Sequence, residues 1–110
     1  MSWNIVYTAK ARRDLREIYE YIAYELLVPE TAAGQVRRIM KEIRALDEMP
    51  MRFRLCGEEP WHSEGLRFFC VDNYLVFYLP DETKNTVSIV RIMYGGRDIR
   101  RQLSETKIEY

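Results

Sequence analysis

The chain has 110 residues, 47% of them apolar and 31% charged, with 17 basic side chains against 17 acidic ones. That length fits a single domain burying roughly 65% of its unfolded surface, which needs no disulfide or metal staple and argues against extended disorder. Zero net charge excludes a chain that coats nucleic acid by electrostatics alone, and no apolar run is long enough to span a bilayer.

Residues 2–8 alternate Trp3, Ile5 and Tyr7 against Asn4, Val6 and Thr8, a period-two pattern that predicts a strand. Thr8 can cap the next element, because its hydroxyl accepts an otherwise orphaned main-chain N–H. Ala11, Leu15, Ile18, Ile22 and Leu26 recur at steps of three and four, predicting a helix from Ala9 to Leu26 or Leu27 with one apolar stripe. Tyr19, Tyr21 and Tyr24 flank and widen that stripe. Tyr21 reads best as a core-boundary residue, while the three together also fit an apolar patch for a protein partner. Pro29 suits the first turn of a second helix, whose stripe is Ala32, Val36, Ile39, Ile43 and Leu46 and which Pro50 ends. Short-looped helices of this kind pair as an antiparallel hairpin. Arg37, Arg38, Lys41 and Arg44 then read as the solvated outer face.

From Met51 to Gly65 there is no periodicity, so a long loop is expected, with Trp61-His62 packed back on the body. Three short strands dense in aromatic and β-branched residues come next, within Leu66–Val71, Tyr74–Leu79 and Val87–Tyr94. Asp72-Asn73 suits a tight hairpin, and Pro80–Asn85 makes the second turn. Tyr74–Leu79 is apolar on both alternating faces and belongs in the middle of a sheet. Gly95-Gly96 permits backbone angles closed to other residues, and Arg97 opens a short helix through Leu103. The polar tail Ser104–Tyr110 is expected to fray. The order β-α-α-β-β-β(-α) predicts one α+β two-layer domain over residues 1–110. Its helical hairpin covers one face of a mainly antiparallel sheet.

The chain is poor in catalytic groups. His62 is the single histidine and sits in the irregular loop; Cys56 and Cys70 are far apart; no cluster has metal-ligand spacing, and no glycine loop follows a strand with phosphate-cradling spacing. No metal or cofactor is therefore expected, and the two cysteines read as reduced thiols in a cytoplasmic protein without a signal peptide. What remains is arginine: Arg67, Arg91, Arg97, Arg100 and Arg101, which can form a basic patch for a target. A metal-independent ribonuclease could use Arg67 and Arg97 to stabilise a pentacoordinate phosphate, with Tyr94 or a carboxylate moving protons. Equally, Arg67 and Arg97 can be structural, pairing with Asp98, Glu64 or main-chain carbonyls at the sheet end.

Several stretches carry a family resemblance. They are Asp14-Leu15 with Ile18 and Tyr21-Ile22; Pro29 with Ala32-Ala33; and Ile39, Ile43, Leu46 and Pro50. The strongest are Gly65-Leu66-Arg67, Asn73 to Tyr78, and Ile89 to Asp98. In that order and spacing the chain resembles the RelE/ParE superfamily of type II toxin–antitoxin toxins, over nearly its whole length. The resemblance implies the same β-α-α-β-β-β fold and a cognate antitoxin as partner, in a module of the plasmid-stabilisation type. RelE-type toxins cut mRNA on the ribosome and typically place an arginine after the central-strand tyrosine, where this chain has Leu75. They often carry a tyrosine six residues past the counterpart of Arg97, where it has Leu103. The Tyr-Gly-Gly-Arg-Asp run looks ParE-like, which implies growth inhibition by binding a protein target such as DNA gyrase, without catalysis. The alternatives are a ribosome-dependent mRNA interferase built on Arg67, Tyr94 and Arg97, and a degenerate toxin that only binds its antitoxin. Each reading shares an antitoxin-binding groove at Leu15, Tyr19, Ile22 and Leu26, with Ile39 and Ile43 opposite. A helix or an added strand could fill it.

Overall fold

Thr8 is where the first strand becomes the first helix. A computed structural model describes residues 2–96 and 98–110. In it β1 (Asn4–Tyr7) ends one residue before Thr8, whose hydroxyl accepts the Ala11 N–H at 3.1 Å and starts α1 (Ala9–Glu20). A π-helical turn over Tyr21–Glu25 extends α1, and α2 (Pro29–Arg44) returns antiparallel, with Pro29 in its first turn as predicted. After single 3₁₀ turns at Ala45–Asp47 and Pro50–Arg52 come α3 (Trp61–Glu64), β2 (Arg67–Val71), β3 (Tyr74–Asp81), β4 (Thr86–Tyr94) and α4 (Ile99–Ser104).

The strands form one sheet in the order β1-β4-β3-β2, antiparallel except for β1, which lies parallel to β4. Both inner strands are apolar on both faces, as the pattern of β3 predicted. Ala11, Ile39, Ile43 and Leu46 of the hairpin pack on Phe69, Val76, Tyr78, Val87, Ile89 and Ile92. The expected packing of hairpin on sheet is present, and the second face carries a smaller cover of its own. Cys56, Trp61, Leu66 and Leu103 close over Phe77, Val90 and Met93 there, and the Trp61 indole N–H donates to the Leu103 carbonyl at 3.0 Å. Trp61 thus packs back on the body as expected.

The tail lies against the body: Ile108 packs on the second face, Ala9 N–H donates to the Glu109 carbonyl at 2.6 Å, and the Tyr110 hydroxyl meets Ser88 Oγ at 2.7 Å. Its polar sequence hid one apolar anchor and main-chain bonding that composition cannot show. Gly95 and Gly96 do not use the positive φ that glycine permits; the positive-φ glycine among the described residues is Gly65. The glycines are there for close approach. A Cβ on Gly96 would sit 2.7 Å from the Tyr94 ring, and one on Gly95 would sit 3.3 Å from the Asn73 carbonyl.

Strand β4 carries a bulge. Phe77 pairs with Arg91 while Tyr78 pairs with Ile89, so Val90 is the extra residue. The main-chain groups this turns outward are met by α1. Thr8 Oγ1 donates to the Val90 carbonyl at 3.2 Å, and Asp14 accepts the Ile92 N–H at 2.9 Å. The bulge therefore fixes where α1 sits along the sheet.

Candidate functional site

Among the described residues the predicted arginines do not converge on one patch. Arg91 projects from the bulge into the protein and is 4% exposed. Its Nε and Nη2 hold the two oxygens of buried Asp14 at 2.7 and 3.1 Å, a bidentate pair, and its Nη1 donates to Thr106 Oγ1 at 3.1 Å. One side chain thus ties α1, β4 and the tail together. It is an internal tie.

Arg67 takes the structural alternative. Its Nη1 donates to the carbonyls of Met51 and Phe53 at 3.0 and 2.6 Å, which holds the irregular segment against β2. Arg100 and Arg101 are exposed and pair with Glu58 and Glu105 at 3.2 and 3.3 Å. Arg97 lies outside the described residues. The nuclease set is also split by register. Tyr94 pairs across to Tyr74, which pairs with Val71, whereas Arg67 is four residues further along β2 opposite Tyr78. At about 3.3 Å per residue, that is roughly 13 Å along the strand direction alone. Among the described residues no group of His, Cys, Asp and Glu side chains could hold a metal ion.

What the fold does open is a groove of about 630 Å³ between the hairpin tip and the end of β4. Ile18, Tyr21, Ile22, Leu26 and Val28 form one wall, with Thr31 and Gln35 from α2. Ile92, Met93, Tyr94, Asn73 and Tyr74 form the other. Its polar floor is the Asp14–Arg91 pair, and Glu17 stands on the rim. The tip beside it is strongly apolar: Tyr21 is 57% exposed, Tyr24 67%, Leu26 53% and Leu27 78%. Exposed side chains this large and this contiguous are unusual on a free monomer surface.

The groove differs from the predicted one in composition. Ile22 and Leu26 line it. Ile39 and Ile43 are wholly buried in the main core, since their stripe is the one that covers the sheet. Leu15 and Tyr19 are half-buried; Leu15 packs on the main core and Tyr19 on Ile22, Ala23 and Ala32. Tyr21, read as a core-boundary residue, is exposed on the groove wall instead. A π turn shapes the tip beyond Tyr21: Leu26 N–H bonds the Tyr21 carbonyl five residues back, and Leu27 follows at φ 58°. The widened turn swings residues 24–28 off the α-helical stripe. Tyr94 and Asn73 complete the site from across the fold. Tyr94 packs edge-on against Tyr74, ring centres 5.8 Å apart.

Where α2 faces the sheet, Gln35 and Arg38 hold Asp72 in the tight β2–β3 turn at 3.0 and 2.8 Å. The hydrogen bond from Arg38, then that from Gln35, holds the Asp72 carboxyl below its usual pKa.

The fold and the groove define a small α+β domain with an open apolar cleft, and comparison with known proteins gives the family. The model for the ParE toxin of type II toxin–antitoxin systems (parDE) matches residues 5–99, so the chain belongs to the ParE toxin family. The structure is similar to a chain of the chromosomal ParDE system from P. aeruginosa. That match has a TM-score of 0.69 at 22% identity, covering 84% of this chain and 96% of that one. It is also similar to the RelBE2 toxin–antitoxin complex from Mycobacterium tuberculosis, with a TM-score of 0.61, 20% identity and 86% and 92% coverage. A double arginine-to-alanine mutant of E. coli toxin RelE in the free state gives 0.64 at 11% identity, covering 93% of each chain. At these identities the likenesses establish the shared fold. No curated protein matches the sequence significantly. Among the described residues no helix is long and apolar enough to cross a membrane.

Proposed function

We propose that this chain inhibits growth as a ParE-like toxin, by binding a protein target of the DNA gyrase kind rather than by cutting RNA, and that a cognate antitoxin neutralises it in the cytoplasm. A plasmid-stabilisation or chromosomal module would both use it in this way. The observation that carries the reading is the dispersal of the nuclease set. Arg67 is spent on main-chain carbonyls, and Tyr94 stands at the other end of the sheet from Arg67. Phosphoryl chemistry without a metal needs cations and a proton-transfer group converging on one phosphate. Leu75 and buried Leu103, at two positions where a nuclease of this fold is expected to carry arginine and tyrosine, agree with the reading.

The antitoxin would take the apolar groove and tip, where Ile22, Leu26 and Tyr21 meet Tyr94. The test has two arms with the purified toxin. Gyrase supercoiling should fail at micromolar toxin, while message in a translating extract stays intact. Unimpaired supercoiling would contradict the gyrase reading, and codon-position cleavage lost on Arg97→Ala would establish the interferase instead.

A further inference from the structure

The irregular run that follows α2 crosses the outer edge of β2. Phe68 N–H donates to the Arg54 carbonyl at 3.1 Å, Cys56 N–H donates to the Leu66 carbonyl at 2.7 Å, and Leu55 bridges to Arg67. Two arginines stand at alternate positions of this run. Arg52 lies over the Phe53 ring at 4.7 Å, and its Nη1 donates to the Ala45 and Glu48 carbonyls at 3.3 and 2.7 Å. Arg54 lies over the Phe68 ring at 5.0 Å. Among the described residues neither has a carboxylate partner, and nor does the adjacent Arg67, whereas Arg38, Arg91, Arg100 and Arg101 each pair with an acid. A chain of zero net charge therefore gathers unbalanced positive charge at one end of β2. Large apolar side chains are exposed in the same run: Met49 by 74%, Met51 by 36% and Leu55 by 37%.

Resting on the proposed protein target, we infer that residues 49–55 form the surface that meets that target, and that they fit an acidic protein surface with apolar side chains among its carboxylates. Arginine and methionine are the residues enriched where proteins meet, and a guanidinium fork matches a carboxylate with two parallel bonds. Rings beneath Arg52 and Arg54 hold those forks in place before binding, so less side-chain freedom is lost on contact. A nucleic acid fits less well. Single strands stack their bases on open aromatic faces. Here Phe53 is stacked on Phe69 and Phe68 on Phe77, and the arginines lie over both, so neither ring offers a free face. Met49, Met51 and Leu55 would also gain nothing from a phosphate backbone. This surface is separate from the groove, because Arg67 pairs with Tyr78 while the groove's Tyr74 pairs with Val71 at the other end of β2.

Supercoiling by purified DNA gyrase tests this, with the full chain and with Arg54→Glu, which removes a side chain whose one contact is the Phe68 ring. The concentration giving half inhibition should rise at least about tenfold, and its dependence on salt should weaken. Affinity for the cognate antitoxin should stay within about threefold of the parent, which also shows that the variant folds. Met49→Asn, with a residue that tolerates the left-handed backbone at φ 52°, is the second variant and should cost at least about threefold in inhibition. Unchanged inhibition by both variants overturns the surface and leaves the gyrase reading intact. A parent chain that leaves supercoiling untouched overturns both. Binding of a labelled single-stranded oligonucleotide that Arg54→Glu abolishes, with gyrase inhibition retained, would assign the surface to nucleic acid and overturn the inference.

Discussion

On the sheet side of α1, Asp14 and Arg91 are sealed between helix, bulge and tail, with every polar atom of the pair occupied by another part of the chain. A short distance toward the hairpin tip, Tyr21, Tyr24, Leu26 and Leu27 stand in solvent with little packed on them. The chemistry of the two regions is the reverse of the usual arrangement, in which charge is outside and large apolar groups are inside. The buried ion pair is used for position, because only one placement of α1 satisfies both the guanidinium and the bulged strand. The exposed apolar tip has no such internal use, which is why it is the better candidate for recognition. Charge here builds the protein, and the exposed apolar surface is the part we propose for the partner.

Breaking the sealed region should have the largest effect. Asp14→Ala strands the buried Arg91 guanidinium and the Ile92 N–H, and should lower unfolding free energy by about 3–5 kcal/mol in urea titration. Arg100→Ala and Arg101→Ala, removing exposed pairs, should stay within about 0.5 kcal/mol of the parent. Thr8→Val removes both the helix cap and the donor to the bulge carbonyl, and should cost about 1–2 kcal/mol in the same titration.

Two smaller effects read the pH dependence. Burial pushes the Tyr78 hydroxyl up to about 12, and it donates to the Pro50 carbonyl at 2.6 Å. A raised folded-state pKa gives stability that is complete below the ordinary tyrosine value of 10.0 and is lost as pH climbs toward 12. Tyr78→Phe should flatten that alkaline loss, leaving the smaller part from Tyr7, whose hydroxyl burial also pushes up. Asp72 works at the acid end and more weakly, because it is exposed. Its depressed pKa gives stability present above the usual 3.8 and lost as pH falls through the lower folded value. Asp72→Asn should remove only that acid-side slope, seen as a smaller change in melting temperature between pH 5 and pH 2.

The fold was legible because local signals agreed with one another. Period-two and three-to-four spacings marked each long element, Pro29 and Thr8 marked helix starts, and Asp72-Asn73 marked its hairpin. The site was legible only in part. Ile22 and Leu26 fall on the helical stripe, but spacing alone does not show whether Tyr21, at the margin of that stripe, meets the core or the groove. Ile39 and Ile43 share the same spacing as the groove residues and differ only in which neighbour they meet. Tyr94 and Asn73 reach the groove through strand register, a long-range property. Arginine in a strand reads as surface function unless its carboxylate partner is known, and Asp14 lies 77 residues from Arg91.

The most direct measurement of this division of labour is antitoxin affinity by calorimetry for two variants that keep the core intact. Leu26→Glu, at the exposed tip, should weaken binding at least about tenfold, while the double variant Arg100→Glu/Arg101→Glu should stay within about threefold of the parent. Unchanged affinity in Leu26→Glu, with binding lost on reversing the two arginines, would contradict the account.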